Sequence, residues 1–396
     1  MKLKYKNELA NIKYRLNFSF VLTICVVLII LSRCITPFEP KVEKYENLLV
    51  VDGLLTNLSG SCIVKLSRTY PYDQNRNKVE KNADVKITDD FGNVTILHDK
   101  NDGTYLPDDT TFVGIIGRKY KIAVSTVNGE ICESGFEGLT EPVDIGKVYY
   151  EFKDLNDGYK AVNFFIDTND PLKKSFFYAW DYTETWEFAV PYASMSIYLP
   201  ETKICYDDVA SRKILIESTR DYSDDRVIKF PLYSIANTTN RLSIKYSVLV
   251  KQYVISEQTY QFYRELKNIN ENTGSLFDPT PAILTGNIMN LSSSGQPILG
   301  NFQVSGASVK RIFIHRYQLP NNWDVATEYE FCKVDLLNQI KDRAKIDSLI
   351  RSGWAPMDTI IDTEQDNILI GLVISRGCFD CTTKGKVQKP DYWDEN

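Results

Sequence analysis

Short stretches of alternating apolar and polar residues, broken by turn residues, predict strands along most of this chain. Between Asn47 and Thr140 the order is strand, turn, strand. Leu48-Leu49-Val50-Val51-Asp52-Gly53 is a continuous apolar run of the buried kind, ending at a turn residue. Ser61–Ser67 and Ala83–Thr88 alternate, and the second leads through the turn Asp90-Phe91-Gly92-Asn93 into Val94-Thr95-Ile96-Leu97. Gly103-Thr104-Tyr105 and Lys119–Val124 follow, and Asn128-Gly129 is a strong hairpin signal because both residues tolerate positive φ. Roughly seven short strands within about 100 residues predict an immunoglobulin-like sandwich over residues 47–143.

Glu141-Pro142-Val143-Asp144-Ile145-Gly146 marks the boundary to a larger β-rich domain, residues 144–396. Strands are predicted there at Val148–Phe152, Ala161–Asp167, Phe176–Thr183, Lys213–Glu217 and Leu242–Val254. Two short helices interrupt them. Ser256 can cap the first, which places Tyr260, Tyr263, Leu266 and Ile269 on one face and ends at Thr273-Gly274. The second is predicted from about Leu336 to Arg351, with Ile340, Ala344, Ile346, Leu349 and Ile350 mostly on one side and a stop at Gly353. Gly274–Gly300, rich in Gly, Pro, Ser and Asn, reads as an ordered loop. The order of strands in the first domain is similar to accessory sandwich domains of the carboxypeptidase-regulatory or fibronectin type.

The first 33 residues follow another logic. Lys2, Lys4, Lys6, Lys13 and Arg15 stand against the single Glu8, and an almost unbroken apolar run extends from Phe18 to Leu31. That run is shorter than the roughly 20 residues a spanning helix needs and suits the core of a signal peptide. Leu31-Ser32-Arg33-Cys34 resembles a lipobox, with Arg33 as its departure from the usual small residue. Residues 1–33 are therefore expected to be a lipoprotein signal peptide, Cys34 the lipidated residue, and 34–46 a tether. The alternative is an uncleaved N-terminal anchor; both place the remainder outside the cytoplasm.

The chain carries a net charge of −6, and the basic N-terminal segment makes the remainder more acidic still. An acidic chain without a basic patch is a poor binder of nucleic acid, which rests on phosphate neutralisation. Aromatic residues make up 12% of the chain, with 24 Tyr and 19 Phe, which suits pleated surfaces. Besides Cys25 and Cys34 there are Cys62, Cys132, Cys205, Cys332, Cys378 and Cys381, an even set that reads as disulfides in an oxidising compartment. Cys62 and Cys132 fall in the first domain and are expected to pair. Cys378-Phe379-Asp380-Cys381 is a CxxC, but neither a βαβ pattern nor a second CxxC accompanies it. Bonding of Cys378 or Cys381 to Cys332 or Cys205 is the expected role.

Catalytic signatures are missing. The chain has no GxSxG, HExxH, GxGxxG or P-loop, and only two histidines, His98 beside a turn and His315 in a strand. Asp99, Asn101, Asp102 and Gly103 lack the spacing of a calcium loop, and Thr110 stands where its bidentate Glu belongs, so a hairpin turn is expected. Asp221, Asp224 and Asp225 read as a solvated loop. No metal or cofactor is expected. Paired carboxylates for glycoside cleavage leave no local spacing, so that chemistry stays open. The aromatic run Phe176–Tyr182 with Trp186 and Phe188 is expected to supply core and cross-strand partners more than a ligand surface.

A resemblance covers the whole chain beyond Cys34. Cys34-Ile35-Thr36-Pro37-Phe38-Glu39-Pro40 and Val50-Val51-Asp52-Gly53 open it, and Lys245–Tyr253 leads into the aromatic helix Tyr260-Gln261-Phe262-Tyr263. Then come Phe277-Asp278-Pro279-Thr280-Pro281, Gly286-Asn287-Ile288, Ile298-Leu299-Gly300-Asn301-Phe302 and Arg311-Ile312-Phe313-Ile314. The chain ends with the CxxC and Lys389-Pro390-Asp391-Tyr392-Trp393, with Lys384-Gly385-Lys386 in place of a more basic, glycine-rich tail. This order resembles the Bacteroidota outer-membrane lipoproteins gathered as domain of unknown function 4249. The resemblance implies a non-enzymatic lipoprotein, held at the outer membrane, that is accessory to a TonB-dependent receptor in ligand capture or uptake. Glu39 and Glu43 after Cys34 point to the cell-surface face, with the periplasmic face as the alternative. The resemblance defines no catalytic residue. Phe277, Asp278 and Pro279, on a loop held by rigid strands, are the expected partner contacts. An extracytoplasmic hydrolase of glycan or peptide, and a structural or adhesive surface protein, are the alternatives.

Overall fold

A computed structural model describes residues 47–70, 78–192, 203–272, 284–293, 295–321, 323, 329, 332–352, 354–362, 367–373 and 376–394. The expected signal peptide, Cys34 and the expected tether, and Phe277, Asp278 and Pro279, lie outside the described residues. Residues 47–396 form one compact unit.

Among the described residues the fold is mainly β, with two α-helices. The first part contains β1 (Leu49–Thr56), β2 (Ile63–Arg68), β3 (Lys78–Val79), β4 (Asp84–Asp89), β5 (Val94–Asp99), β6 (Thr104–Pro107), β7 (Lys119–Ser125), β8 (Ile131–Ser134) and β9 (Glu137–Gly138). The second contains β10 (Ile145–Asp154), β11 (Lys160–Asn169), β12 (Phe177–Ala189), β13 (Ile204–Ala210), β14 (Leu215–Ser218), β15 (Arg226–Ala236) and β16 (Lys245–Val254). Helix α1 (Glu257–Asn272) precedes β17 (Ile288–Asn290) and the long β18 (Leu299–His315). Strand β19 (Asp335–Asn338), helix α2 (Arg343–Arg351), β20 (Ala355–Asp362) and β21 (Asn367–Val373) complete it.

The expected strands form where alternation announced them, because each can bury one face. In β4 and β7, Val85, Ile87, Ile122 and Val124 point into a first core with Leu49, Val51, Leu55, Val64, Leu66 and Tyr105. That core also takes Ile288, Ile298, Phe302 and Val304 from far along the chain. The reason is the sheet path, β13-β12-β16-β18-β1-β2-β6-β5-β4-β7-β8-β17. Strand β18 pairs parallel with β1 along Leu299–Ser305 and antiparallel with β16 along Gly306–His315, so one strand joins the two halves. The second core lies between β12–β16–β18 and a separate sheet, β10–β11–β15. Tyr182 from one sheet stacks on Tyr233 from the other at 4.1 Å between ring centroids.

Gly300 makes the parallel pairing possible. Its φ is +100°, and a Cβ there would stand 1.9 Å from the Val51 carbonyl oxygen, so no side chain fits between β18 and β1 at that point.

Helix α1 forms as expected. The Ser256 hydroxyl accepts from the Thr259 N–H at 3.2 Å, and Tyr260 and Tyr263 turn toward the sheet. The second helix is shorter than expected. Leu336 and Leu337 pair with β21 instead, and Asn338 Oδ1 accepts from the N–H groups of Ile340 and Lys341, which closes a turn before α2 begins. Long-range pairing outweighed a local helical period there.

The cysteines correct one expectation. Cys205 bonds to Cys381 and Cys332 to Cys378, so both halves of the CxxC are structural. Cys62 and Cys132 are not bonded; both are free and buried. Strands β2 and β8, which bear them or adjoin them, are separated along the sheet by β6, β5, β4 and β7. Each thiol is packed among apolar side chains of the first core, and burial pushes both up to about 12.

Candidate functional site

A cavity of about 910 Å³ opens where α1 crosses the sheet. Its floor comes from the face of β12, β16, β18, β1 and β2 that points away from the two cores. Alternation explains which residues reach it. In β18, Phe302 and Val304 point into the first core, while Leu299, Asn301 and Gln303 line the cavity. In β1, Val51 and Leu55 enter the core, while Val50, Asp52 and Leu54 face the cavity. Phe262, Tyr263 and Leu266 of α1 and Leu284 complete the lining from above, and Ser211, Arg212 and Lys213 close one side.

Polar groups meet on this floor in register. Asp52 lies beside Asn301 on one neighbouring strand and beside Lys65 on the other, which makes one row across β18, β1 and β2. Adjacent strands are about 4.8 Å apart, so these side chains are neighbours. The Asp52 side chain is exposed to the water of the cavity but is walled by protein on most sides. The loss of bulk water raises its pKa above the ordinary carboxylate value, against the pull of Lys65. Asp181 of β12 is half-buried and raised for the same reason, opposed by the Tyr253 hydroxyl, which donates to it at 2.6 Å, and by Lys251. Tyr263 donates to Gln303 Oε1 at 2.8 Å, and burial with the charges of Asp52 and Asp181 holds its phenol above the usual range.

Asn301 stands out within the row. It is 4% exposed, its amide N–H donates to Thr259 Oγ1 at 3.3 Å, and its carbonyl oxygen has no hydrogen-bond partner. A buried acceptor left unpaired costs roughly 1–3 kcal/mol. That oxygen is sealed inside the protein, while the cavity lining carries Lys65, Arg212 and Lys213 as donors beside Asp52 and Asp181.

The other candidate residues do not gather into a site. His98 contacts Asp108 at 3.3 Å with both side chains exposed, and His315 stacks with Tyr317 at 5.1 Å. Asp99 accepts from the N–H groups of Asn101 (2.8 Å) and Gly103 (3.3 Å), which is the expected hairpin turn. Asp225 is buried and accepts from Thr219 and Tyr178, while Asp224 faces Lys173 at the surface. Among the described residues no group of three or more His, Cys, Asp or Glu is placed to hold a metal ion. Glu184, buried in the second core, is held by Arg241 and by the Tyr246 hydroxyl, and Tyr246 in turn meets the Tyr233 hydroxyl at 2.7 Å. That network is closed upon itself.

The aromatic run divides as alternation requires: Tyr178, Trp180, Tyr182, Trp186 and Phe188 enter the second core, and Phe177 and Ala179 lie under α1. The final aromatic pair is structural too. Trp393 Nε1 donates to Glu187 at 2.9 Å, and Arg311 lies 3.5 Å above the Tyr392 ring.

The sequence alone does not mark Asp52, Asp181, Asn301, Tyr253 and Tyr263 for chemistry. One trace of them is in the sequence. Asn301, Gln303 and Ser305 alternate with Phe302 and Val304, a polar stripe of period two on a strand buried on both faces. Polar residues in such a place need partners.

The family model described as Domain of unknown function (DUF4249) matches residues 35–311, well over half of the chain, and covers every residue that lines the cavity. No curated protein matches.

Proposed function

Because the chain belongs to the family described as Domain of unknown function (DUF4249), we propose that it acts by capturing a ligand and has no catalytic turnover of its own. It is an outer-membrane lipoprotein, held through Cys34 and facing the cell surface, and accessory to a TonB-dependent receptor. The cavity beneath α1 is the observation that carries this reading: it has the size of a small-molecule site, mostly apolar walls and a few convergent polar groups. The receptor is the partner that the sequence resemblance implies. Two proteins confined to one membrane meet at raised effective concentration, so a modest interface between them suffices.

The test is to purify the full-length protein from native membranes in mild detergent, with and without Leu266→Trp, which fills the cavity from α1. A TonB-dependent receptor should accompany both forms, and the ligand only the native one. Recovery of the protein alone under these conditions rules the reading out.

One observation favours hydrolysis as a second reading. Asp52 and Asp181 both line the cavity and both are held above the ordinary carboxylate range, the condition for a general acid beside a second carboxyl group. Cleavage of a glycan or peptide that is lost in both Asp52→Asn and Asp181→Asn would establish it and displace the first.

A further inference from the structure

We propose that the cavity takes an amphiphile with an anionic head. Arg212 and Lys213 at its rim hold the carboxylate or phosphate of that head, and an apolar chain lies beneath α1. The inference deepens the capture reading and rests on it.

The first observation is a balance of charge. The charged side chains of the lining are Asp52 and Asp181 against Lys65, Arg212 and Lys213. Each carboxylate already has a cation opposite it in the sheet. Lys65 stands across from Asp52 on β2, and Lys251 across from Asp181 on β16. These two lysines are the cations whose charge acts on the two acids, and Tyr253 donates to Asp181 as well. Arg212 and Lys213 act on neither acid, and among the described residues they make no hydrogen bond or ion pair. In a chain with 52 Asp and Glu against 46 Lys and Arg, the rim of this cavity carries positive charge that the protein itself does not answer.

The second observation is that the backbone bearing these cations is fixed. Just before them, the Ser211 N–H donates to the Tyr182 carbonyl at 2.7 Å, and the Ser211 hydroxyl accepts from the Tyr182 N–H at 3.1 Å. Just after them, Leu215 pairs with Trp180 as β14 begins. Arg212 and Lys213, both exposed, therefore stand on a short bridge anchored at each end to β12.

Third, the walls beyond the cations are apolar. Ile214 and Ile216 continue from them along the chain, Phe262 and Leu266 come from α1, and Val50 and Leu54 from β1. At about 910 Å³ the space far exceeds what a head group alone occupies. A cationic head would meet Arg212 and Lys213, and a neutral one would leave both without a counter-charge. Asp52 and Asp181 turn an anion away from the floor, which sets the head at the rim and the chain inward.

The experiment is calorimetric titration of the full-length protein in nanodiscs at neutral pH, with empty nanodiscs as the blank. The probes are octanoate, octyl phosphate, octylamine, 1-octanol and hexanoate. Octanoate or octyl phosphate should bind, octylamine should not, and 1-octanol should bind roughly tenfold more weakly or less. Hexanoate, shorter by two methylenes, should lose roughly tenfold against octanoate. Arg212→Gln combined with Lys213→Gln should weaken the anionic probes roughly tenfold or more and leave 1-octanol as it was. Leu266→Trp, which fills the cavity, should abolish binding of octanoate, and melting temperatures confirm that the variants fold. The anion separates the sources of the chemistry: tighter octyl phosphate identifies a phosphorylated lipid, and tighter octanoate a free fatty acid. Octylamine binding as well as octanoate, or octanoate binding unchanged in the double variant, would show Arg212 and Lys213 to be solvated surface charges and overturn the assignment. Octanoate binding that survives Leu266→Trp, or absence of binding by every probe, overturns it too. Co-purification with the receptor decides the wider reading separately.

Discussion

Cys205 and Cys381 stand with their Cα atoms 5.6 Å apart across 176 residues of sequence. The bond fastens the end of the chain to β13, and the bond from Cys332 to Cys378 lies within the loop that it closes. Closing so long a loop restricts the unfolded chain, so Cys381→Ser should cost about 2–5 kcal/mol. Urea unfolding of the native protein and the variant, both without reductant, measures it; equal midpoints would show that the bond contributes nothing.

The other two cysteines should behave in the opposite manner. Cys62 and Cys132 are buried thiols whose pKa burial pushes up to about 12, so neither forms thiolate near neutral pH. An alkylating reagent should leave both untouched in the folded protein and modify both after denaturation without reductant. Peptide mass mapping reads this directly, and a Cys62–Cys132 bridge in the native protein would contradict it.

Gly300→Ala should be among the most damaging small substitutions in the chain. It places a Cβ within 1.9 Å of the Val51 carbonyl oxygen and demands positive φ of a residue that resists it. The expected loss is about 3 kcal/mol or more, seen as a lower melting temperature and a poor yield of folded protein. Gly295→Ala, where an added Cβ meets nothing within 4 Å, is the control.

Asp52→Asn tests the electrostatics of the cavity. In the folded protein the Asp52 pKa is raised above its ordinary value of 3.8, so between the two values the folded state binds more protons than the unfolded one. Its contribution to stability is therefore greatest below 3.8 and declines as pH rises through the folded value. The Asn variant has no such decline. It should gain stability relative to the native protein between about pH 3 and about pH 7, and denaturant midpoints across that range give the sign. A variant that loses ground as pH rises would refute the assignment.

Most of the strands were legible because alternation is local. Ala83–Thr88 and Lys119–Val124 show their buried face in the sequence, and both pair as β4 and β7. What was not legible depends on contacts between distant segments. Leu336 and Leu337 fit a helical period until β21 is available to pair with them. Nothing near Val50-Val51-Asp52-Gly53 announces that its partner strand begins at Leu299, and the cavity exists only once that pairing is made. The same holds for the cysteines. Cys62 and Cys132 belong to one stretch of sequence and one core, yet the sheet path keeps β2 and β8 apart. The bonds that do form join segments with no local sign of meeting.

The parallel pairing of β1 with β18 also sets an order of events. The first strand of the described chain cannot complete its hydrogen bonding, nor the first core receive Phe302 and Val304, until residues around 300 are present. A chain that emerges from its amino end thus carries an open sheet edge and an unfilled core through the synthesis of everything between β2 and β18. Contacts of such sequence separation slow folding, because a long loop must close before they contribute anything. Truncation before Leu299 would accordingly remove more than a distal strand: it would leave the amino-terminal sandwich with an unpaired edge, ready to pair with another chain.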